Sequence, residues 1–496
     1  MRNYNSHSFL LAISTIVILL LLSLLPNTGS GFFSLRHISI TEDVAPTRDL
    51  LATILNSRST KKASSTPKTP IQQTALLDTT SVTIVIPKTT IPPKKKVIKK
   101  DTIKKKKRYV TAPYKKIDSL NISTNDSTAL TIKPIHIKHA TDLIPIENSN
   151  NPEFRAFLAQ LRSQNKTRIA ITGDSYIEGD ILAQDIRANL QLKYGGNGVG
   201  FMPISSPITG FRRSVKHSFD GWSNIDVLKK SRTNYYLNGY IFYPTEGAWV
   251  KYSGVNYRPH LDKFTQAKLM FINTGKTIIR ATVNQKYDTV ITPPTSADLQ
   301  VITIKDTMQN IRFSFKNVNG FSAYGAILDD YNGVSVDNHS VRSYSGIGLL
   351  NLRAKIMTTA QKSHKVDLVI LQYGLNAVNL GTSKYSAQLY RIINHIKALM
   401  PGTAILVMSI GDSEHRVAGK WKTKPAILQM EAMQRAVAMQ CNVAFWSTLQ
   451  AAGKHGGIHQ FVENGWAAKD YLHLSPKGGK VLATMLTDAI RQSAIQ

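Results

Sequence analysis

The sequence predicts an α/β fold built on a parallel sheet, interrupted by an inserted all-β domain. Two observations carry that expectation. The first is a set of short apolar runs that stop at loops. Residues 168–172 (Arg-Ile-Ala-Ile-Thr) end at Gly173-Asp174-Ser175, and residues 366–372 (Val-Asp-Leu-Val-Ile-Leu-Gln) end at Tyr373-Gly374-Leu375-Asn376. Residues 404–410 likewise end at Gly411. Helical spacing fills the intervals at 181–192, 385–400 and 425–439. Strands alternating with helices imply a parallel sheet covered on both faces. The second observation is a change of texture between residues 205 and 331. Short alternating runs at 249–252, 268–272, 277–282, 301–304 and 311–315 are separated by turn residues, with no helical period. This is the pattern of a sandwich or jelly roll.

The α/β domain therefore comes in two parts, 146–204 and 332–496, around an insert at 205–331. Its first part opens near Glu153, where Phe154, Phe157, Leu158 and Leu161 have helical spacing. A glycine-rich turn, Gly195-Gly196-Asn197-Gly198-Val199-Gly200, closes the helix that follows the first strand. Upstream, residues 32–145 alternate Thr, Ser, Lys and Pro with isolated β-branched residues, a composition that buries no core and reads as a disordered linker. Residues 1–31 hold an uncharged run of 17 residues, 9–25, preceded by Arg2. That length is at the lower limit for a membrane-spanning helix and long for a signal-peptide core, so a signal anchor is expected.

Lys and Arg outnumber Asp and Glu by 62 to 31, a net charge of +31. Half of the excess is local: residues 56–140 carry 19 basic and 4 acidic side chains, 19 − 4 = +15. Ten of those basic residues lie between 94 and 108. A basic, low-complexity arm of this kind favours an anionic surface. No RNP or zinc-finger pattern follows it, so nucleic acid is not expected as a partner. The one cysteine, Cys441, forms no internal disulfide and reads as a small apolar core residue beside Val443 and Phe445.

Acyl transfer from an oxygen ester needs a nucleophile, a base, a group that orients the base, and donors for the oxyanion. Ser175 follows a buried strand and is expected to open a helix, placing its hydroxyl at the carboxyl edge of the sheet and its N–H toward developing negative charge. The plain alternative is a helix cap, and Gly411-Asp412-Ser413, also after a strand, shows how little the tripeptide says alone. Asp470 and His473 are three residues apart, a spacing that lets a carboxylate reach Nδ1–H of the imidazole while Nε2 faces a nucleophile. Asn376 ends the second strand unit and offers a neutral amide donor. His455 and His459 have i, i+4 spacing, but the surrounding glycines speak for a loop, and neither a metal nor a cofactor is expected. Trp222, Trp249, Tyr252 and Tyr257 of the insert are either sugar-stacking residues or cross-strand packing.

Taken in order, Gly173-Asp174-Ser175, Gly374-Leu375-Asn376 and Asp470-Tyr-Leu-His473 resemble the SGNH (GDSL-type) hydrolase superfamily. The resemblance implies a flavodoxin-like three-layer sandwich and a catalytic triad of Ser175, Asp470 and His473. It also implies an oxyanion hole formed by Ser175, Asn376 and a backbone N–H from the segment 336–346. Ser343 falls on the position usually held by glycine there, with Gly346 three residues beyond. The insert after the first block is similar to the layout of peptidoglycan O-acetylesterases, and the local texture resembles anchored GDSL-type proteins of Bacteroidota envelopes. The implied function is hydrolysis of O-acyl, chiefly O-acetyl, esters on an acylated polysaccharide or peptidoglycan. Transfer of the acyl group to a sugar, and a non-catalytic glycan-binding or assembly role, stay open as alternatives. The implied location is the cell envelope, with a single-pass inner-membrane anchor and a periplasmic catalytic domain.

Overall fold

The computed structural model describes residues 81–85, 143–229 and 233–495. The expected anchor at 1–31 and most of the expected linker lie outside the described residues. Strand β1 (Ser81–Val85) is followed by helix α1 (Pro152–Arg162), strand β2 (Thr167–Gly173), helix α2 (Ala183–Tyr194) and strand β3 (Gly200–Met202). Strands then run in succession: β4 (Val215–Asp226), β5 (Tyr240–Gly254), β6 (Phe264–Asn273), β7 (Ile278–Val283), β8 (Tyr287–Ile291), β9 (Ser296–Met308), β10 (Asn310–Lys316) and β11 (Phe321–Asp329). Alternation returns with β12 (Val334–Ser340), α3 (Ala354–Ser363), β13 (Leu368–Gln372), α4 (Thr382–Leu399) and β14 (Ala404–Met408). A hairpin of β15 (Glu414–Val417) and β16 (Lys420–Thr423) precedes α5 (Pro425–Gln440), β17 (Ala444–Trp446), α6 (Thr448–Gly453), α7 (Ile458–Glu463) and α8 (Pro476–Ile495).

Five strands form a wholly parallel sheet in the order β12-β2-β13-β14-β17. Counted along the chain that is the order 2-1-3-4-5 of a flavodoxin-like doubly wound sheet. Each strand is buried on both faces, which is why these segments read as continuous apolar runs. Ile169, Ile171, Ile370 and Leu406 face α1, α2 and α8, while Ala170, Val369, Leu371 and Val407 face α3, α4 and α5. Local sequence explains the start of α1: the Asn151 side chain accepts the Phe154 N–H at 3.0 Å, Pro152 sits in the first turn and Glu153 follows it.

The inserted strands form a second sheet, antiparallel apart from the parallel pairing of β1 with β9. It curls: β3, β6, β9 and β11 make one leaf and β4, β5, β7, β8 and β10 the other, joined where Ala323 pairs with Phe242. Phe242, Val250, Leu269, Phe271, Ile304 and Phe313 fill the space between the leaves.

Four expected boundaries move. The sheet of the insert begins at Gly200, not residue 205, because β3 pairs with β11 before the chain leaves the α/β domain. Residues 81–85, inside the expected linker, form a strand. The α/β domain starts by Leu143, since Ile144 and Ile146 are buried and the Ile144 carbonyl accepts the Trp446 indole N–H at 3.1 Å. Finally, Ser175 does not open an α-helix. A turn leads into a short 3₁₀ segment at Glu178–Asp180, where Gly179 and Asp180 both have positive φ, and α2 begins only at Ala183.

Candidate active site

Parallel register places the ends of the sheet strands side by side. Gly173 pairs with Ser340 on one side and Gln372 on the other, so the loops at 174–177, 341–346 and 373–380 leave the same edge. Two glycines make the approach possible. A Cβ on Gly173 would lie 2.7 Å from the Gln372 carbonyl, and Gly374 holds φ of 139° against Ile410.

At this edge the Ser175 Oγ lies 3.1 Å from His473 Nε2, across 298 residues of sequence. His473 Nδ1 is 2.7 Å from Asp470 Oδ2. The second carboxylate oxygen of Asp470 accepts the backbone N–H of Leu472 and of His473, both at 3.0 Å, so the loop is closed on itself. Burial raises the Asp470 pKa, but the hydrogen bonds from His473 outweigh it and hold the carboxyl below its ordinary value. The arrangement can take a proton from a serine hydroxyl and stabilise the imidazolium that results.

Asn376 stands behind Ser175. Its amide nitrogen donates to Asp174 Oδ2 at 2.9 Å and makes a long contact of 3.4 Å to the Tyr344 carbonyl. Asp174 is fully buried and also accepts the Tyr176 N–H at 2.9 Å; burial pushes its pKa up to about 6. The N–H bound to Asp174 is committed, whereas the 3.4 Å contact is weak enough to yield to a stronger acceptor.

The turn after β12 carries Ser343 at φ 59° and Gly346 at φ 84°. It is pinned on several sides. The Ser345 carbonyl accepts the Tyr385 hydroxyl at 2.8 Å, Arg342 pairs with Glu178 in the turn after Ser175, and Gly346 lies against the Tyr373 ring. Among the described residues, the backbone N–H groups of Ser175, Ser343 and Gly346 donate to no other group.

The other sequence candidates go elsewhere. Asp412 is buried, accepting the Thr423 hydroxyl and the Ile458 N–H, and the Ser413 hydroxyl accepts from Lys424 at 2.9 Å. That second Gly-Asp-Ser ties the hairpin to α5 and α7. His459, which lies on the short helix α7 and not in a loop, binds Glu414 at 2.7 Å and stacks on Trp421. Among the described residues no cluster of His, Cys, Asp and Glu is arranged to hold a metal. Tyr252 is fully buried with its hydroxyl on the Pro203 carbonyl, and the Trp222 indole donates to the Trp249 carbonyl across strands. Tyr257 lies beneath the Arg258 guanidinium, and Cys441 is buried as expected. The Glu414–Thr423 hairpin escaped the sequence reading, although the alternation around Ala418-Gly419 is a hairpin signal.

Comparison with known proteins bears on the same elements. Residues 308–481 match the GDSL-like lipase/acylhydrolase family, a stretch that includes Asn376, Asp470 and His473. That match makes the second part of the α/β domain a GDSL-like acylhydrolase region and supports a carboxylic ester hydrolase. A solved structure described as a peptidoglycan O-acetylesterase in action superposes on this hydrolase with a TM-score of 0.59 at 20% identity, covering 70% of this chain and 97% of the other. That likeness spans the insert as well as the hydrolase domain, and it is a likeness of fold. A Bacillus subtilis protein matches at 13% identity over 56% of this chain and 91% of its own, with a TM-score of 0.28. A family two carbohydrate esterase from Cellvibrio japonicus matches at 10% identity over 57% and 99%, with a TM-score of 0.24. No curated protein matches the sequence of this hydrolase.

Proposed function

We propose that this hydrolase is a serine esterase that removes O-acetyl groups from an envelope glycan of the peptidoglycan kind. The observation that carries the reading is the unbroken relay from Ser175 Oγ through His473 to Asp470, at 3.1 and 2.7 Å, on the open edge of the parallel sheet. In this scheme His473 Nε2 takes the Ser175 proton as Oγ attacks the acyl carbonyl. Asn376 and the N–H groups of Ser175 and of Ser343 or Gly346 receive the oxyanion. His473 then protonates the departing sugar hydroxyl, leaving an acyl-serine that water, activated by the same imidazole, cleaves to acetate. The glycan part of the proposal rests on the likeness of fold to the peptidoglycan O-acetylesterase, insert included. Residues 9–25 would hold the enzyme at the membrane with its catalytic domain in the periplasm, and residues 56–140 would lie against an anionic surface.

The test is acetate release from purified cell-wall glycans. The wild-type chain should release acetate, and Ser175→Ala should lose roughly four orders of magnitude in turnover while keeping its circular dichroism spectrum. Ser413→Ala should turn over at the wild-type rate; the reverse pattern would mean that the other Gly-Asp-Ser carries the reaction. Appearance of the acetyl group on an added sugar instead of free acetate would identify a transferase.

A further inference from the structure

The residues of the proposed ester chemistry all lie outside the insert, yet the insert reaches the turn that carries Ser175. That turn, residues 174–180, folds back on itself. The Glu178 N–H donates to the Ser175 carbonyl and the Ile177 N–H to the Asp174 carbonyl, both at 3.3 Å. The turn ends in Gly179 and Asp180, at φ of 71° and 69°. Glycine takes that conformation freely, whereas aspartate adopts it at a cost, so the surroundings must hold Asp180 there.

The hold is made on the Asp180 carboxylate, which is buried and ringed by donors. Arg187 on α2 donates to its two oxygens at 2.8 and 3.2 Å. Asn338 on β12 donates to it at 3.3 Å and to the Ile177 carbonyl at 2.9 Å. The other donors come from the insert: Arg212 at 3.1 Å and the Ser214 hydroxyl at 3.2 Å. Phe211 of the same segment closes on the turn, since a Cβ added to Gly179 would lie 3.1 Å from the Phe211 Cβ. Burial raises the Asp180 pKa, but Arg187 and Arg212 outweigh it and hold the carboxyl well below its ordinary value. Without Arg212 the carboxylate would keep a single guanidinium, and the turn would be braced mainly from the α/β domain.

We propose that Arg212 is a positioning residue for Ser175: acting through Asp180, the insert sets the turn that aims Oγ at His473 and the Ser175 N–H at the oxyanion. This rests on the triad reading. It gives the insert a part in the turnover of every ester, a small soluble one included, besides any part in holding a polymer. The path is short. It runs from Arg212 to Asp180, then through the Asn338 bridge to Ile177 and the Glu178 hydrogen bond to the Ser175 backbone. A reacting atom misplaced by about 1 Å can cost roughly 100-fold in rate, so a turn released at one end should show in kcat. A second buried ion pair supplies the contrast. Arg258 of the insert binds Asp185 at 2.9 Å, and it too ties the insert to the α/β domain. Asp185 lies on α2, beyond the turn, so this pair does not grip the segment that carries Ser175.

Hydrolysis of p-nitrophenyl acetate by the full-length protein tests the assignment, because that ester is too small to need the insert for binding. Arg212→Met should lower kcat roughly 10- to 100-fold with little change in KM. Arg212→Lys, which keeps a cation at Asp180, should recover most of the loss. Arg258→Met should lower the thermal transition while turning over at the wild-type rate. Three results would overturn the assignment. A cooperatively melting Arg212→Met with wild-type kcat would show that Arg212 does not set the turn. A rise in KM alone would make Arg212 a substrate contact instead. An equal loss of kcat in Arg258→Met would reduce the effect to general loosening of the seam. Where Arg212→Met does not melt cooperatively, Ser214→Ala decides, since it removes one neutral donor from the same carboxylate. It should lower kcat several-fold at unchanged KM, and wild-type turnover there would equally overturn the assignment. Ser175→Ala judges the triad by itself, so the two readings can fail separately.

Discussion

Ser175 and Ser413 occupy the same tripeptide after the same kind of strand, and what separates them is the company of their hydroxyls. Ser175 faces an imidazole contributed from near the C-terminus, whereas Ser413 accepts from Lys424 eleven residues on. No local pattern carries that difference, because the partner arrives through the fold and not through the sequence nearby. The Asp470-to-His473 spacing was legible, since both members of that pair sit in one loop. Asn376 was legible as a residue but not as a contact: its amide is bound to Asp174, whose side chain nothing in the sequence singles out for that role. Asp174 should therefore matter to turnover without touching substrate. Its carboxyl pKa is raised to about 6 by burial, against about 3.9 in an unfolded chain. A raised acid contributes stability below pH 4 that is lost as pH climbs through 6, about 3 kcal/mol in all. Asp174→Asn removes that titration, so its stability relative to wild type should improve by up to about 3 kcal/mol between pH 4 and 7, measured by urea unfolding. Its turnover should nonetheless fall, because an amide at this position turns an N–H toward Asn376 and unseats it. Asn376→Ala should cost roughly 100- to 1,000-fold in turnover with a smaller change in apparent affinity. An unchanged turnover would remove Asn376 from the oxyanion hole.

At the scale of elements, the strands were read well and the connections poorly. Apolar runs bounded by glycine survive any rearrangement of the loops, so β2, β13 and β14 fall where the sequence puts them. The helix expected at Ser175 fails for a local reason. Gly179 and Asp180 adopt positive φ, and the buried Asp180 carboxylate, gripped by Arg187 and Arg212, fixes that kink before α2 begins. The hairpin β15–β16 shows the opposite case, a local element whose purpose is visible only in three dimensions. Trp421 on β16 lies between the His459 ring, at 5.5 Å, and the Tyr471 ring, at 4.8 Å. Tyr471 has φ of 57° inside the loop that carries Asp470 and His473, a conformation that a bulky residue adopts only when its surroundings hold it there. In the proposed mechanism Trp421 is therefore a positioning residue for His473. Trp421→Ala should lower kcat by roughly ten-fold with little change in KM, since the ring touches the loop and not the nucleophile. Trp421→Phe should recover most of the loss. If kcat held while KM rose, the hairpin would be contacting substrate instead.

For the whole molecule, composition and pattern separate an α/β domain from a β insert. The structure joins them. Tyr236, Met270, Leu299 and Ile327 of the insert share one buried cluster with Val369, Leu371 and Ile356 of the α/β domain. Arg168, 1% exposed at the start of β2, binds Asp337 on its own sheet and Asp329 on the insert, and these carboxylates hold its pKa above the ordinary value against the cost of burial. A sequence cannot show this seam, because each half of it satisfies its own period: the insert's strands alternate, and their outer face looks like surface until the helical layer beside it is known. The consequence is a firm expectation about excision. Replacing residues 205–331 with a short linker would uncover the side of the cluster that Met270, Leu299 and Ile327 close, and remove Asp329 from Arg168. Uncovering several large side chains costs on the order of 10 kcal/mol, comparable with the whole stability of a domain. The truncated chain should fail to fold, seen as loss of a cooperative thermal transition and of all ester hydrolysis. Asp329→Asn is the gentler version: it keeps the shape but halves the charge opposite Arg168, and should destabilise by about 3 kcal/mol in a thermal melt without moving the site. A soluble, cooperatively melting deletion that still hydrolysed p-nitrophenyl acetate would mean that the shared cluster is incidental, and that the insert serves the glycan alone.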